Sequence, residues 1–116
     1  MKSKGQKTLR LFEEHSKELE IILDSIKDAI TLVDKRGITK YWNKAAEKMY
    51  GINRQDIIGR HIKDFFPSSL LSRIIREEKV YENIYNSPRE NSYNIISASP
   101  LYLDSCLVGG LSLDRD

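Results

Sequence analysis

The first long pattern along the chain is helical. Phe12, Leu19 and Ile26 recur every seven residues, Ile22 lies three beyond Leu19, Leu23 lies beside it, and Leu9 extends the stripe backwards. No Pro or Gly occurs between Lys7 and Lys27, so this spacing predicts a helix there with one broad apolar face. Glu13, Glu14, Lys17, Glu18 and Glu20 take the other side, with Glu13 and Lys17 as a favourable i,i+4 pair. His15 and Ser16 interrupt the stripe, and about three heptads suit a helix that packs on something better than a free-standing coiled coil.

The period then changes. Ile30–Val33 and Ile38–Trp42 are short β-rich runs on either side of Asp34-Lys35-Arg36-Gly37, whose Asp can bond the backbone ahead and whose Gly accepts a positive φ. This is a hairpin. Asn43 precedes KAAEKMY as an N-cap, and Gly51 follows as the stop. Asn53 is expected to cap a short helix through Ile58, aided by Asp56 and ended by Gly59. A further helical turn follows over Arg60–Phe66. Pro67 then opens a helix to about Glu78, with Leu70, Leu71, Ile74 and Ile75 on one side. Val80–Tyr85, Ser92–Leu103 and Cys106–Asp114 read as strands, divided by turn chemistry at Asn86–Asn91 and Asp104-Ser105. Pro100 places the far end of the middle strand at an edge or bulge, and Gly109-Gly110 predicts a bend or a close backbone approach in the last.

In order and spacing, Asp34–Gly37, Tyr41-Trp42-Asn43, Ala45–Tyr50, Ile57-Ile58-Gly59, Phe65-Phe66-Pro67 and Gly109–Asp114 resemble the PAS domain, a family of sensor and dimerisation modules. The resemblance covers about 23–116. ILDSIKDAITLVDKRGITKYWN, with Pro100-Leu101-Tyr102 and Val108-Gly109-Gly110, is most similar to PAS domains of bacterial enhancer-binding transcription activators and histidine kinases. It implies an α+β fold: a five-stranded antiparallel sheet with short helices on one face and the N-terminal amphipathic helix on the other. The expected division is a signalling or dimerisation helix with a frayed start over 1–26 and the PAS domain over 27–116.

Strand alternation, oriented by that resemblance, assigns the two faces. Thr31, Val33, Asn94, Ile96, Ala98, Val108, Gly110 and Ser112 should face the helices, from which Met49, Tyr50, Phe65, Leu70 and Ile74 approach. A mostly apolar enclosure with a few polar groups suits a small ligand, and equally a filled core whose polar groups bond backbone or water. Ile30, Leu32, Tyr93, Ile95, Leu107, Leu111 and Leu113 should point the other way. That outer face is the more apolar of the two and needs a cover. The N-terminal helix, of this chain or of a second copy, is the obvious one. Phe12, Leu19, Ile22, Leu23, Ile26, Ile30, Leu32, Ile95, Leu107, Leu111 and Leu113 are therefore the expected dimer contacts.

Composition narrows the function. A chain of 116 residues is one domain, and a net charge of +2 gives no ground for nucleic-acid binding. Lys2, Lys4 and Lys7 suit a solvated end. The single cysteine, Cys106, excludes an internal disulfide or a cysteine-rich zinc site and reads as a small buried or edge hydrophobe. No signal peptide or membrane segment is expected, which points to the cytoplasm. His15 and His61 have no carboxylate partner at a diagnostic spacing, and neither a phosphate-cradling Gly loop nor HExxH occurs, so no enzymatic activity and no metal are expected. The resemblance also implies what is missing. The helix from Pro67 to Glu78 has no axial histidine for haem, and Gly59–Phe65 lacks the cysteine of the flavin-adduct motif, so no cofactor is predicted, while an unknown small ligand is allowed. The implied function is a non-enzymatic sensory module of a bacterial signal-transduction or transcription-regulator protein. It would sense by ligand binding or a packing change, act as a homodimer, and relay through its terminal helices to a C-terminal output domain. The alternative is a dimerisation or scaffold module with a filled cavity and no ligand.

Overall fold

The computed structural model describes residues 4–89 and 91–115, with side chains from 14 onward except 86, 88, 89 and 92. Ten elements follow in order: α1 (Lys4–Ser25), β1 (Ala29–Asp34), β2 (Thr39–Trp42), α2 (Lys44–Tyr50), α3 (Arg54–Ile57), a 3₁₀ turn (Ile62–Asp64), α4 (Leu70–Glu77), β3 (Tyr81–Arg89), β4 (Ser92–Leu103) and β5 (Cys106–Arg115). The strands form one antiparallel sheet in the order β2-β1-β5-β4-β3, so the first and last strands lie side by side at its centre.

The local chemistry behaves as the residues dictate. Asp34 Oδ1 accepts from the N–H groups of Arg36 and Ile38, and Gly37 closes the turn at φ 86°. Asn43 Oδ1 accepts from Ala46 N at the start of α2, and Gly51 ends that helix at φ 68° while its N–H reaches Glu47 O. At Asp104-Ser105, both residues take positive φ and turn β4 into β5. Pro100 sits where β4 has passed the end of its pairing with β3 at Ala98, so its missing N–H costs no ladder bond.

Three boundaries differ from expectation. Asn53 makes no side-chain cap; instead Glu47 Oε2 reaches across from α2 to accept from Arg54 N at 2.8 Å. Pro67 lies outside its helix, which starts at Leu70 with Ser69 Oγ accepting from Leu71 N. β3 continues to Arg89, past the expected start of the turn at Asn86, and Asn91 supplies the left-handed residue of a tighter turn.

The core lies between the sheet and α2–α4. Val33, Ile57, Ile62 and Ile74 are fully enclosed there, with Trp42, Tyr50 and Phe66 as a mutually packed aromatic trio at 5.0–6.0 Å between ring centres. Gly110 lets α4 down onto β5: a Cβ there would stand 3.3–3.4 Å from Ile74, Ile75 and Leu71. Gly109 brings β5 against β1, since a Cβ would stand 2.1 Å from Val33 O.

α1 makes its principal contact with α2 rather than lying along the sheet, and the molecule is accordingly elongated, 57 × 31 × 23 Å. Leu19, Ile21, Ile22 and Ile26 remain exposed. The outer sheet row of Leu32, Ile95, Leu107, Leu111 and Leu113 is half-buried. Tyr93 stays exposed and stacks on Tyr85.

Candidate functional site

Two features stand out around the core: an enclosed polar cluster, and a junction that fastens α1 to the domain. The cluster begins with Tyr50, which α2 carries into the core through its buried face. Its hydroxyl donates to Asp114 Oδ2 and accepts from Asn94 Nδ2, joining α2 to β5 and β4. All three residues are at most 5% exposed. Asn94 Oδ1 and Asp114 Oδ1 have no hydrogen-bond partner. Burial pushes the Asp114 carboxyl up to about 6; hydrogen bonds from Tyr50 and Ser112 act the other way, and the Asp28 carboxylate adds to the rise.

Beside this cluster is a cavity of about 30 Å³, bounded by Thr31, Trp42, Tyr50, Phe66, Leu71 and Asp114 among others. That is room for about two water molecules. Of the residues expected on the inner face, Thr31, Tyr50, Leu70, Ile96 and Ser112 line it. Val33, Ile74 and Ala98 are buried in the surrounding core, Met49 and Phe65 pack against it from outside, Asn94 reaches it through Tyr50, and Gly110 lies under α4. Val108 does not join them. It is 43% exposed, because register shifts between Leu101 and Tyr102 and alternation fails at Gly109-Gly110, both of which are buried. Cys106, expected as a buried or edge hydrophobe, is exposed at the first position of β5, beside the β4–β5 turn. Asp114, Trp42, Ile62, Phe66, Ser69 and Leu71 are lining residues that the sequence reading left out.

The junction is built on Asn43. Its Nδ2 donates to Leu23 O at 2.9 Å, Asp28 O at 3.0 Å and Ile26 O at 3.5 Å, while Oδ1 accepts from Ile30 N and Ala46 N. One buried side chain thus fixes the end of α1, the start of β1 and the start of α2. Asp24, on the last turn of α1, accepts from Lys44 N at 3.0 Å and from Arg54 Nη2 at 2.7 Å. Partial burial opposes the Asp24 charge, but Arg54 and Lys44 together hold the carboxyl below its usual range. Of the expected dimer contacts, Leu19, Ile22 and Ile26 are exposed and Leu23 is half-buried, whereas Ile30 is only 3% exposed and is no free surface. Its backbone N–H is tied to Asn43 Oδ1 at 2.8 Å. The Phe12 side chain lies outside the described residues.

The comparisons fit this architecture. The family model described as PAS domain matches residues 27–110, from the end of the junction to the middle of β5. The chain belongs to the PAS domain family. This PAS domain is 27% identical over 100 residues to the sensor protein CitS of Halalkalibacterium halodurans; the match covers 84% of this chain, and the chain spans only 18% of CitS. The solved PAS domain of histidine kinase ThkA superposes with a TM-score of 0.66 at 23% identity, covering 78% of this chain and all of that one. ThkA in complex with the response regulator TrrA matches at 28% identity and a TM-score of 0.60, over 82% of this chain and 30% of that one. The E. coli DhaR(N)–DhaL complex matches 97% of this chain and 39% of that one, at a TM-score of 0.80 and 16% identity. No helix among the described residues is long and apolar enough to cross a membrane, and no described group of His, Cys, Asp and Glu is placed to hold a metal ion.

Proposed function

We propose that this PAS domain is a non-enzymatic signalling module that works as a homodimer through α1 and passes changes in its core to that helix. The observation that carries the reading is the Asn43 junction. A shift of α2 or β1 cannot occur without moving hydrogen bonds that end on Leu23 and Asp28. The exposed apolar residues of α1 then supply a surface suited to a second copy. A kinase or transcription-regulator setting in the cytoplasm, with an output domain elsewhere in the full protein, agrees with the relationship to CitS and ThkA and with a lone unpaired cysteine.

The cavity volume favours sensing by packing change over a large bound group. Haem or flavin would need several hundred cubic ångströms, and the interior offers neither an axial histidine on α4 nor a cysteine. We therefore assign no prosthetic group. The small cavity equally supports the second reading, a scaffold module with a filled core.

Sedimentation and light scattering test the α1 reading. The chain should be a dimer, and Leu19→Glu with Ile22→Glu should give a folded monomer. A dimer that survives both substitutions removes α1 from the interface. A thermal-shift panel of small metabolites separates sensor from scaffold: a specific ligand raises the melting temperature of the first and leaves the second unchanged.

A further inference from the structure

A recess on the far side of α4 from the cavity carries chemistry that the relay does not use. Lys35 and Arg36 on the β1–β2 turn, His61 and Lys63 on the 3₁₀ turn, and Ser72 and Arg76 on α4 line about 210 Å³ of space. No carboxylate lines it. Of the neighbouring acids, Asp34 pairs with one recess cation, Arg36, and Asp64 pairs with Arg60 outside it. Asp34 is held by its own turn and stands 3.8 Å from both Arg36 and Lys40, and Asp64 stands 3.8 Å from Arg60. Lys35, Lys63 and Arg76 make no ion pair among the described residues.

Two neutral donors complete the set. Ser72 Oγ has no hydrogen-bond partner and is shielded from solvent as it stands, so it reaches an anion in the recess by rotating about χ1. His61 Nδ1 accepts from Lys63 N at 3.1 Å, which leaves the proton of the neutral ring on Nε2 as a donor. A concave site with unpaired positive charge from three separate elements (Lys35, Lys63 and Arg76), an unused hydroxyl and no carboxylate in its lining is complementary to an oxyanion with several oxygens and more than one charge. A monocarboxylate has too few oxygens to meet the three elements at once.

We propose that this recess binds a phosphate-bearing anion, with Lys35, Lys63 and Arg76 supplying charge and Ser72 a hydrogen bond. Such a ligand would tie α4 to the β1–β2 turn. The binding claim stands whether or not the module dimerises or signals. The bland alternative is a solvated basic face that attracts any anion without a site.

The test is an NMR titration of the full chain with sodium pyrophosphate at constant ionic strength, following the amides of Gly37, Lys63 and Ser72. Saturable shifts are expected, with Lys63→Glu plus Arg76→Glu weakening binding by at least about tenfold and Ser72→Ala by several-fold. Lys40→Glu plus Arg60→Glu changes net charge equally outside the recess and should leave affinity within about twofold. All four charge reversals are on exposed side chains, so the variants should stay folded. Adenosine diphosphate, titrated in parallel, separates the source: tighter binding than pyrophosphate assigns an esterified phosphate, and weaker binding assigns the free anion. Shifts that do not saturate by about 10 mM, or equal weakening by the two reversal pairs, would overturn the proposal.

Discussion

Replacing Asp114 by Asn should stabilise this domain at neutral pH. The carboxyl is enclosed among Tyr50, Asn94 and Ser112, and one of its oxygens has no partner. Its acidity moves from 3.8 to about 6 because burial penalises the charged form. The folded state therefore holds a proton that the unfolded chain has released, and stability falls as pH rises from about 4 to about 6, then levels off. That interval is worth about 3 kcal/mol. Asparagine keeps the shape and an acceptor for Tyr50 but never ionises, so at pH 7.5 the gain should approach that value, about 12 °C in melting temperature for a chain of this length. Urea unfolding of both proteins from about pH 4 to pH 8 measures it. The parent should lose stability across the window, and the variant should lose much less. Equal slopes, or a less stable Asp114→Asn at pH 7.5, would show that the ionised carboxylate is well solvated by its hydrogen bonds and that burial does not dominate.

The remaining predictions concern packing and the junction. Gly109→Ala should cost about 2 kcal/mol or more and exceed Gly110→Ala, because the first Cβ meets backbone oxygen at 2.1 Å and the second meets mobile side-chain ends at 3.3 Å; equal midpoints in urea would contradict this. Asn43→Ala removes a cap and strands several buried backbone groups, so a loss of about 3 kcal/mol is expected from the same measurement. Arg54→Ala should cost no more than about 1 kcal/mol, since the pair with Asp24 is one-third exposed on the Arg side. Hydrogen exchange in the last turn of α1 should nevertheless quicken, and unchanged protection there would mean that the ion pair does not hold the helix.

What could be read from the sequence was decided within a few residues. Asp34 binds amides two and four positions on, Asn43 an amide three on, and Gly51 a carbonyl four back, so each turn or cap was visible as a short motif. What escaped depends on distant partners. Asn53 loses its cap to Glu47, whose side chain reaches from α2 to the Arg54 amide across the turn at Gly51, and no capping motif states that. Val108 changes face because the β4–β5 pairing shifts register, and strict alternation has no sign for that. Asp114 was legible as the end of the last strand, but not as a buried carboxyl. Its burial requires Tyr50 and Asn94, which the fold brings from α2 and β4.

Cys106 is the one thiol of the chain, and it is exposed at the hairpin tip, at the opposite end of β5 from Asp114. The native protein can thus take a single spin label there without any engineered cysteine. Since the label would sit eight residues along β5 from the Asn43 junction's neighbour Asp114, about 27 Å at strand rise, the separation between two labels in a dimer would tell whether the two sheets lie with their hairpin tips together or apart.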